Sequence, residues 1–534
     1  MSFDRILVGG MLLDGTGAEG RLADIGVRDQ AVAAIEPPGT LAGTDAAAAA
    51  ETHDISGLVV CPTFIDTHTH SDLEVFNDPA LPMKAHQGIG IDVLGQDGIS
   101  VAPFPADRRP LMERVIAGLD GVREHWDWES VSEYLACLEK VDKGIHLAYL
   151  VPHGNLRLEQ MGMEDRPPTT HELEAMTAGL DRDLQAGGVG LSTGLIYPPC
   201  CYSDTDELIA LGQVLARHDR PLVVHMRSES DALQDGVNEM LDVGRKSGCR
   251  IHISHLKIAG KANWPLVDWL LGCFDQAERE GIILTADQYP YTAGSTMMGA
   301  ILPPWAHAGG FSETVARLGK PDERARIRDW ILRDAPHDWD NFWSWGGPSA
   351  IVVADIPSGN RPEALGCTIA ELAESVNVDP LDYALDLLQE EHMGVAMVAF
   401  SQSEDVVAAL MAHPRVNGCT DGLLLGRPHP RAYGSFPRIL GRFVRDRKIC
   451  SLPEAIRKLT SQAADALTLK GRGRVAVGSP ADLVVFDAAQ VEDLATYREP
   501  RQYPVGIPHV LIGGEFLVRD DRLCPSRRGR VLRG

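Results

Sequence analysis

The sequence lacks any apolar run long enough to cross a bilayer, and its first residues, MSFDR, show no basic region or apolar core of a signal peptide. Basic residues are also scarce: 50 Lys and Arg stand against 75 Asp and Glu, so the formal net charge is -25. Nucleic acids and anionic membranes attract cationic surfaces, so this charge disfavours both. We therefore predict a cytoplasmic protein with no nucleic-acid and no membrane partner.

Cysteine motifs are absent as well. None of the 10 cysteines lies in a Cys-x-x-Cys spacing, and Cys200 and Cys201 are adjacent, so neither a redox motif nor a disulfide framework is expected. These two cysteines also have no obvious paired base in the sequence. A covalent nucleophile is therefore not expected.

From residue 61 onward, apolar runs of strand length alternate with helical patterns. The runs cover 89–94, 145–151, 188–192, 222–225, 251–255 and 282–287. One helical pattern, from Thr169 to Ala186, opens with the capping-box pair Thr169 and Glu172 and stops before Gly187. Such alternation favours a parallel sheet. Eight of these units close into a (β/α)8 barrel of the α/β class, whose chemistry lies at the carboxyl ends of the strands.

Three parts of the chain depart from this alternation. Residues 1–60 and 471–534 contain short strands and Gly-rich turns, which predicts one small β-sandwich domain built from both chain ends, with the barrel over 61–470 between them. Between Asp287 and Val416 the chain is several times longer than the ~30 residues of a βα unit. We predict an inserted lid at about 296–350, or an insertion that serves packing or a homo-oligomer contact. The alanine-rich tract from Leu41 to Glu51 is predicted to be a surface loop.

His68 and His70 lie just after the strand-like run 57–62. Side chains two apart in an extended segment point the same way, so the two imidazoles form a claw. Neutral imidazole is a common zinc ligand. An isolated His-x-His is structural about as often as it binds metal, so the wider context decides.

Four more candidate ligands follow other strand-like runs: Asp97, His225, His255 and Asp421. His225 and His255 are 30 residues apart, about one βα unit, which places them on neighbouring strands. Each residue alone fits a local structural role, such as helix capping or a satisfied hydrogen bond. Together, four imidazoles and two carboxylates suit zinc, with manganese, iron or cobalt as alternatives, and can hold one ion or two.

Several stretches resemble a known family. Residues 60–70 resemble the opening metal motif of the amidohydrolase superfamily, and 471–487 resemble its C-terminal β-sandwich return. Four stretches resemble the N-acyl-D-amino-acid deacylases (D-aminoacylases): GLSTGLIYPP at 190–199, ISHLK at 253–257, DQYPYTAGS at 287–295 and HPRAYGSFPR at 429–438. The resemblance covers nearly the whole chain. It implies metal-dependent cleavage of the amide bond of a small-molecule substrate, an N-acyl-D-amino acid.

Carried over by position, the resemblance implies a role for each site residue. His225 and His255 hold the tighter metal. Asp97 stands where better-known deacylases have a cysteine and other superfamily members a carboxylated lysine, so we expect a harder bridging ligand. A second, weaker metal position is surrounded by His68, His70 and Asp421. Four residues match positions that grip the substrate carboxylate and nearby groups: Lys257, Tyr289, Ser295 and Arg431.

The expected chemistry is hydrolysis by metal-bound hydroxide. A divalent ion lowers the pKa of its water toward ~7 and polarises the amide carbonyl. Asp421 is the candidate general base, which takes the proton of the water and delivers it to the leaving amine. The alternatives are an amidohydrolase for a cyclic amide, dipeptide or ester, a deaminase, and a metal-free scaffold protein. Lys257 and Arg431, which are expected to grip a substrate carboxylate, and the complete set of six metal ligands argue against these alternatives. The acyl group and side chain of the substrate and the number of bound ions stay open.

Overall fold

The computed structural model describes residues 2–41, 50–121, 123–334 and 336–534. Most of the predicted loop from Leu41 to Glu51 lies outside the described residues, apart from its ends. No helix in the described ranges is long and apolar enough to cross a membrane.

Parallel strands form the centre of the molecule in two ladders. One ladder runs through Phe64–Asp66, Ile89–Leu94 and His146–Tyr149. The other runs through Val151–Pro152, Leu191–Gly194, Pro221–His225, Arg250–Ile253, Leu284–Gln288 and Val416–Gly418. Leu150 alone separates the third strand of the first ladder from the first strand of the second. Backbone hydrogen bonds from Asp421 to His68 and from His70 to Gly422 join the outer strands. This ring of eight parallel strand positions agrees with the predicted barrel.

Helices pack outside the ring and follow the strands along the chain. They are Glu74–Asn77, Pro82–Ala85, Arg109–Ile116, Val131–Lys140, His153–Met161, Thr170–Gln185, Thr205–His218, Leu233–Ser247, Val267–Arg279, Glu404–Ala412, Arg431–Arg438, Leu452–Arg457 and Ala463–Ala466, with π-helical continuations at Ile439–Asp446 and Lys458–Gln462. The predicted capping box is present, because Thr169 accepts from the Glu172 amide while the Glu172 carboxylate accepts from the Thr169 amide. Buried leucines and valines from the strands and helices fill the space between these layers.

Both chain ends contribute to one nine-stranded sheet. Its strands are Arg5–Leu12, Arg21–Arg28, Ala31–Glu36, Glu51–Asp54, Val59–Pro62, Leu483–Phe486, His509–Ile512, Glu515–Arg519 and Arg522–Leu523. The two ends meet where Leu483–Phe486 pairs antiparallel with Val59–Pro62, and a bridge between Ala31 and Pro480 curls the sheet around its own apolar core. The prediction that the two termini build one β unit therefore agrees with the structure.

An inserted unit lies between the last two barrel strands. Its antiparallel sheet consists of Ala293–Met297, Ile351–Asp355 and Ala396–Phe400, and its helices are Phe311–Leu318, Pro321–Leu332, Phe342–Gly346, Ile369–Val376 and Pro380–Glu390. This unit has an apolar core of its own. The unit extends beyond 296–350 at both ends, since the first strand of its sheet begins at Ala293 and the other two strands lie after residue 350. The domain boundaries themselves stay a prediction.

Candidate metal centre and substrate site

His68 and His70 lie immediately beyond the first barrel strand and are almost fully buried. Lys84 fixes the side chains of neighbouring residues, because its ammonium donates to the Asp66 carboxylate at 2.5 Å and to the Thr69 hydroxyl at 2.6 Å. Both imidazoles direct Nε2 towards the same carboxylate oxygen: Asp421 Oδ1 lies 3.7 Å from each. The predicted claw is therefore present, with an acidic group facing it.

Asp97 lies between the claw and the second pair of histidines. Its Oδ1 is 3.6 Å from His68 Nε2, 3.6 Å from His255 Nε2 and 3.9 Å from His225 Nδ1, while Oδ2 is 3.6 Å from His70 Nε2. A tetrahedral ion with ligand bonds of ~2.0–2.2 Å holds its ligand atoms about 3.3–3.6 Å apart. The six predicted ligands are thus brought together at spacings that suit shared cations.

Several of these nitrogen and oxygen atoms have no hydrogen-bond partner within the described residues. They are His68 Nε2, His70 Nε2, His225 Nδ1 and Asp97 Oδ1, all buried. Buried polar atoms are almost always paired in folded proteins, because an unpaired one carries its full desolvation cost. Since these atoms face one another and include lone-pair donors, the donor set fits a divalent metal.

The backbone at three of these positions is left-handed. Asp97, His255 and Asp421 have φ of 56°, 36° and 47°. Non-glycine residues rarely adopt this region, and where they do the strain concentrates at functional sites.

The electrostatics of the site depend on burial and on the two aspartates. Burial lowers the pKa of His225 to about 3, so this imidazole is neutral and able to coordinate. Burial also acts to lower the pKa of His70, but the carboxylates of Asp421 and Asp97 outweigh it and raise the value to about 10. In the absence of a metal, a proton on His70 therefore offsets part of the negative charge of Asp97 and Asp421.

One cavity is lined by every predicted site residue except His68, which lies beneath it. Arg431 is fully buried, contacts Asp421 at 2.6 Å, donates to the Ser295 carbonyl at 2.8 Å and stacks 4.5 Å from the centroid of the Tyr289 ring. The Lys257 ammonium lies 5.9 Å from the centroid of the same ring. The structure thus collects the four predicted substrate residues on one wall of the cavity.

Glu229 is a site residue that the sequence analysis missed. It lies in the same cavity, 2% exposed, and accepts two hydrogen bonds from Lys257 at 2.6 and 2.7 Å. In the sequence, only its position four residues after the predicted ligand His225 indicated that Glu229 could belong to the site. A glutamate in a polar run is usually an exposed charge, so this signal is weak.

The structure places a histidine beside Cys200. His153 offers this thiol no free ring nitrogen as a base, because its Nε2 bonds to Glu207 at 2.6 Å and its Nδ1 to Thr193 at 2.9 Å. Cys200, His153 and Glu207 are also buried beside the barrel and do not line the site cavity. The arrangement therefore gives no support to a covalent nucleophile in the site cavity.

Residues 190–194 match the Gly-x-Ser-x-Gly pattern of a nucleophile elbow. The serine of this pattern, Ser192, lies within the fourth barrel strand and is fully buried. Its hydroxyl donates to the Gly95 carbonyl and accepts from the Gly98 amide at 3.0 Å. Ser192 therefore clamps the loop that carries Asp97 and is not exposed for attack.

A parallel barrel with histidines and aspartates gathered at its carboxyl ends is the architecture of a metal-dependent hydrolase. An amidohydrolase family profile matches residues 368–518. The N-acyl-D-glutamate deacylase of Alcaligenes xylosoxydans xylosoxydans is 34% identical over 532 residues, which is 99% of this chain and 96% of that protein.

Two solved structures are similar over their full length. The N-acyl-D-glutamate deacylase of Bordetella bronchiseptica, complexed with zinc and a phosphonate inhibitor, has a TM-score of 0.84 at 32% identity. A D-aminoacylase with a binuclear metal centre has a TM-score of 0.82 at 30% identity, and both alignments cover 100% of each chain. The chain belongs to the N-acyl-D-amino-acid deacylase family of metal-dependent amidohydrolases. The predicted family, fold and enzyme class are confirmed, in preference to the alternatives.

Proposed function

We propose that this enzyme hydrolyses the amide bond of N-acyl-D-amino acids with zinc as its cofactor. The observation that carries the proposal is the position of Asp97 within 4 Å of all four histidines, in a cavity that also holds Lys257 and Arg431. The relatives supply the context. The N-acyl-D-glutamate deacylase is solved with zinc and a phosphonate mimic of the tetrahedral intermediate. In the D-aminoacylase with a binuclear centre, one metal activates the enzyme and the second metal attenuates it.

His225, His255 and Asp97 would hold the first ion, and His68, His70 and Asp421 would surround a second position. A bound divalent ion supplies Lewis acidity and an acidified water. The role of Asp421 is to accept a proton and pass it to the leaving nitrogen, because it lies at the edge of the donor set and faces the cavity. Asp97 fixes the spacing between the two histidine pairs.

The cationic wall of the cavity would recognise the substrate carboxylate. Arg431 is planar and can bind a carboxylate through two parallel hydrogen bonds, whereas Lys257 acts as a point charge. Tyr289 and Ser295 line the same cavity, where Arg431 contacts the Tyr289 ring and the Ser295 carbonyl. A free α-carboxylate on the substrate is thus required for tight binding.

A second cavity of about 110 Å³ adjoins the first and shares Tyr197 and Phe342 with it. Most of its lining is apolar, including Leu195, Met297 and Leu302. This lining suits an apolar group on the substrate.

The cation in this second cavity is already paired. Arg227 lies in the lining, but its guanidinium bonds to Glu239 through two nitrogens at 3.1 Å and to the carbonyls of Cys201 and Ser203. A carboxylate side chain on the substrate would have to compete with Glu239. We therefore propose an uncharged D-amino acid as the substrate.

The test is a panel of N-acetyl-D-leucine, N-acetyl-D-glutamate, N-acetyl-L-leucine and N-acetyl-D-leucinamide, assayed with the metal content of the same preparation. We expect N-acetyl-D-leucine to be hydrolysed fastest, and N-acetyl-D-leucinamide and N-acetyl-L-leucine to be hydrolysed slowly. All activity should disappear after chelation of the metal and return when zinc is added. Activity that survives complete metal removal, or equal rates on the amide, would contradict the proposal. The cytoplasmic location and the homo-oligomer stay predictions from the sequence.

A further inference from the structure

Glu229 faces the outer nitrogens of both histidines predicted to hold the first metal. Its Oε2 lies 3.4 Å from His225 Nε2, and its Oε1 lies 3.3 Å from His255 Nδ1. The other nitrogen of each ring, His225 Nδ1 and His255 Nε2, faces Asp97. Each imidazole therefore has one edge towards the donor set and the opposite edge towards the same glutamate.

This geometry decides which nitrogen of the His225 ring carries the proton. A nitrogen that binds a metal must present a lone pair, so the proton of a neutral imidazole sits on the opposite nitrogen. For His225 that opposite nitrogen, Nε2, points at Glu229. A carboxylate in this place stabilises the metal-binding tautomer and orients the ring.

Glu229 is itself firmly held. Lys257 donates to both of its oxygens, and the backbone amide of Glu229 donates to Asp340 at 3.1 Å. The Lys257 ammonium also lies 2.7 Å from His255 Nδ1 and, because an ammonium can only donate, this nitrogen accepts from it. A cation thus already occupies the space between Glu229 and His255, which excludes a metal ion from that space while Lys257 remains there.

We infer that Glu229 is a positioning residue for the metal centre and for the substrate cation at once. It orients His225 for the first ion and holds Lys257 beside His255 and the cavity, without being a ligand itself. One carboxylate would therefore tie metal affinity to recognition of the substrate carboxylate. The link to the substrate carboxylate rests on the proposed function, whereas the effect of Glu229 on metal affinity does not.

The test uses the full-length Glu229→Gln protein, loaded with zinc or cobalt. A second-sphere carboxylate typically contributes 10- to 100-fold to metal affinity, so we expect a loss of about this size in chelator competition. The number of ions bound at saturating metal and the visible spectrum of the cobalt form should match the parent protein. With metal saturated, KM for N-acetyl-D-leucine should rise more than kcat falls, because Lys257 loses its anchor.

Asp482→Asn is the matched control. Asp482 also bridges a histidine and a cation, with contacts of 3.1 Å to His146 and 2.6 Å to Arg472, at the amino ends of the barrel strands. This variant should lower the melting temperature without changing metal affinity. Unchanged metal affinity in Glu229→Gln overturns the inference. So does the loss of one bound ion or an altered cobalt spectrum, since either would make Glu229 a ligand.

A parent protein that hydrolyses no N-acyl-D-amino acid would refute the proposed function. The chelator competition would still measure what Glu229 does to the metal, so the two failures can be told apart.

Discussion

The guanidinium of Arg431 contacts the carboxylate of Asp421 at 2.6 Å, and both side chains are buried. Arg431 is expected to grip the substrate carboxylate and Asp421 to transfer a proton, yet in the structure these two side chains bind each other. The Arg431 charge holds the pKa of Asp421 well below its usual range despite its burial. A substrate carboxylate that binds Arg431 would therefore share this cation with Asp421.

Replacing Arg431 with Met should lower kcat/KM for N-acetyl-D-leucine by about 30-fold or more. Loss of one partner from a buried charge pair costs roughly 2–5 kcal/mol, and 1.4 kcal/mol corresponds to about tenfold. The decrease should be much smaller for N-acetyl-D-leucinamide, which has no carboxylate. Arg442→Met, which removes a partly exposed pair with Glu404, is the control. Equal decreases on both substrates would remove Arg431 from carboxylate recognition.

Replacing Asp421 with Asn should abolish turnover, by at least ~100-fold, because an amide cannot accept and pass on a proton. Most of the metal should stay bound, since His225, His255 and Asp97 do not depend on this carboxylate. Steady-state kinetics and elemental analysis on the same preparation check both points. Retained turnover at full metal loading would show that another group is the base.

Replacing Asp97 with Cys should shift the metal preference. A thiolate is softer than a carboxylate, so the variant should bind zinc and cadmium more tightly relative to manganese. Competition of the three metals for the apoprotein measures this ratio. The prediction fails if the zinc-to-manganese ratio is the same in the two proteins, because Asp97 would then not contact the ion.

The buried His153–Glu207 pair should make stability depend on pH. Burial alone would lower the pKa of His153, but Cys200 and Glu207 outweigh it and raise the value to about 9. A histidine pKa raised above its unfolded value of ~6.5 stabilises the fold fully below pH ~6.5, and this contribution is lost as the pH rises through 9. We expect roughly 2–3 kcal/mol of unfolding free energy to be lost between these values.

His153→Gln should flatten this part of the pH profile, as measured by urea denaturation from pH 6 to 9. Gln is neutral throughout and keeps one hydrogen bond to Glu207. His218→Gln is the control, because His218 forms its own pair with Asp181 at 2.8 Å on the outer helices and is partly exposed. An identical slope in the His153 variant and the parent protein would contradict the assignment.

Local sequence patterns predicted much of the fold. The capping pair of Thr169 and Glu172 located one helix to within a residue, because capping is decided by residues three apart. Side chains alternate in an extended segment, which predicted that His68 and His70 point the same way. Both do, since each directs Nε2 towards Asp421 Oδ1. The extent of the insertion was harder to predict, because its sheet pairs strands about a hundred residues apart.

By itself, the sequence determined the alternation of strands and helices, the histidine claw and the family, since each depends on short-range spacing or on matching motifs. Tertiary structure alone decided that Glu229 faces two histidines, that Arg431 pairs with Asp421 and that His153 bonds to Glu207. Most of these contacts join side chains from different strands and loops. Even the contact between Glu229 and His225, four residues apart, depends on how the loop folds back over the barrel, which local propensity does not encode.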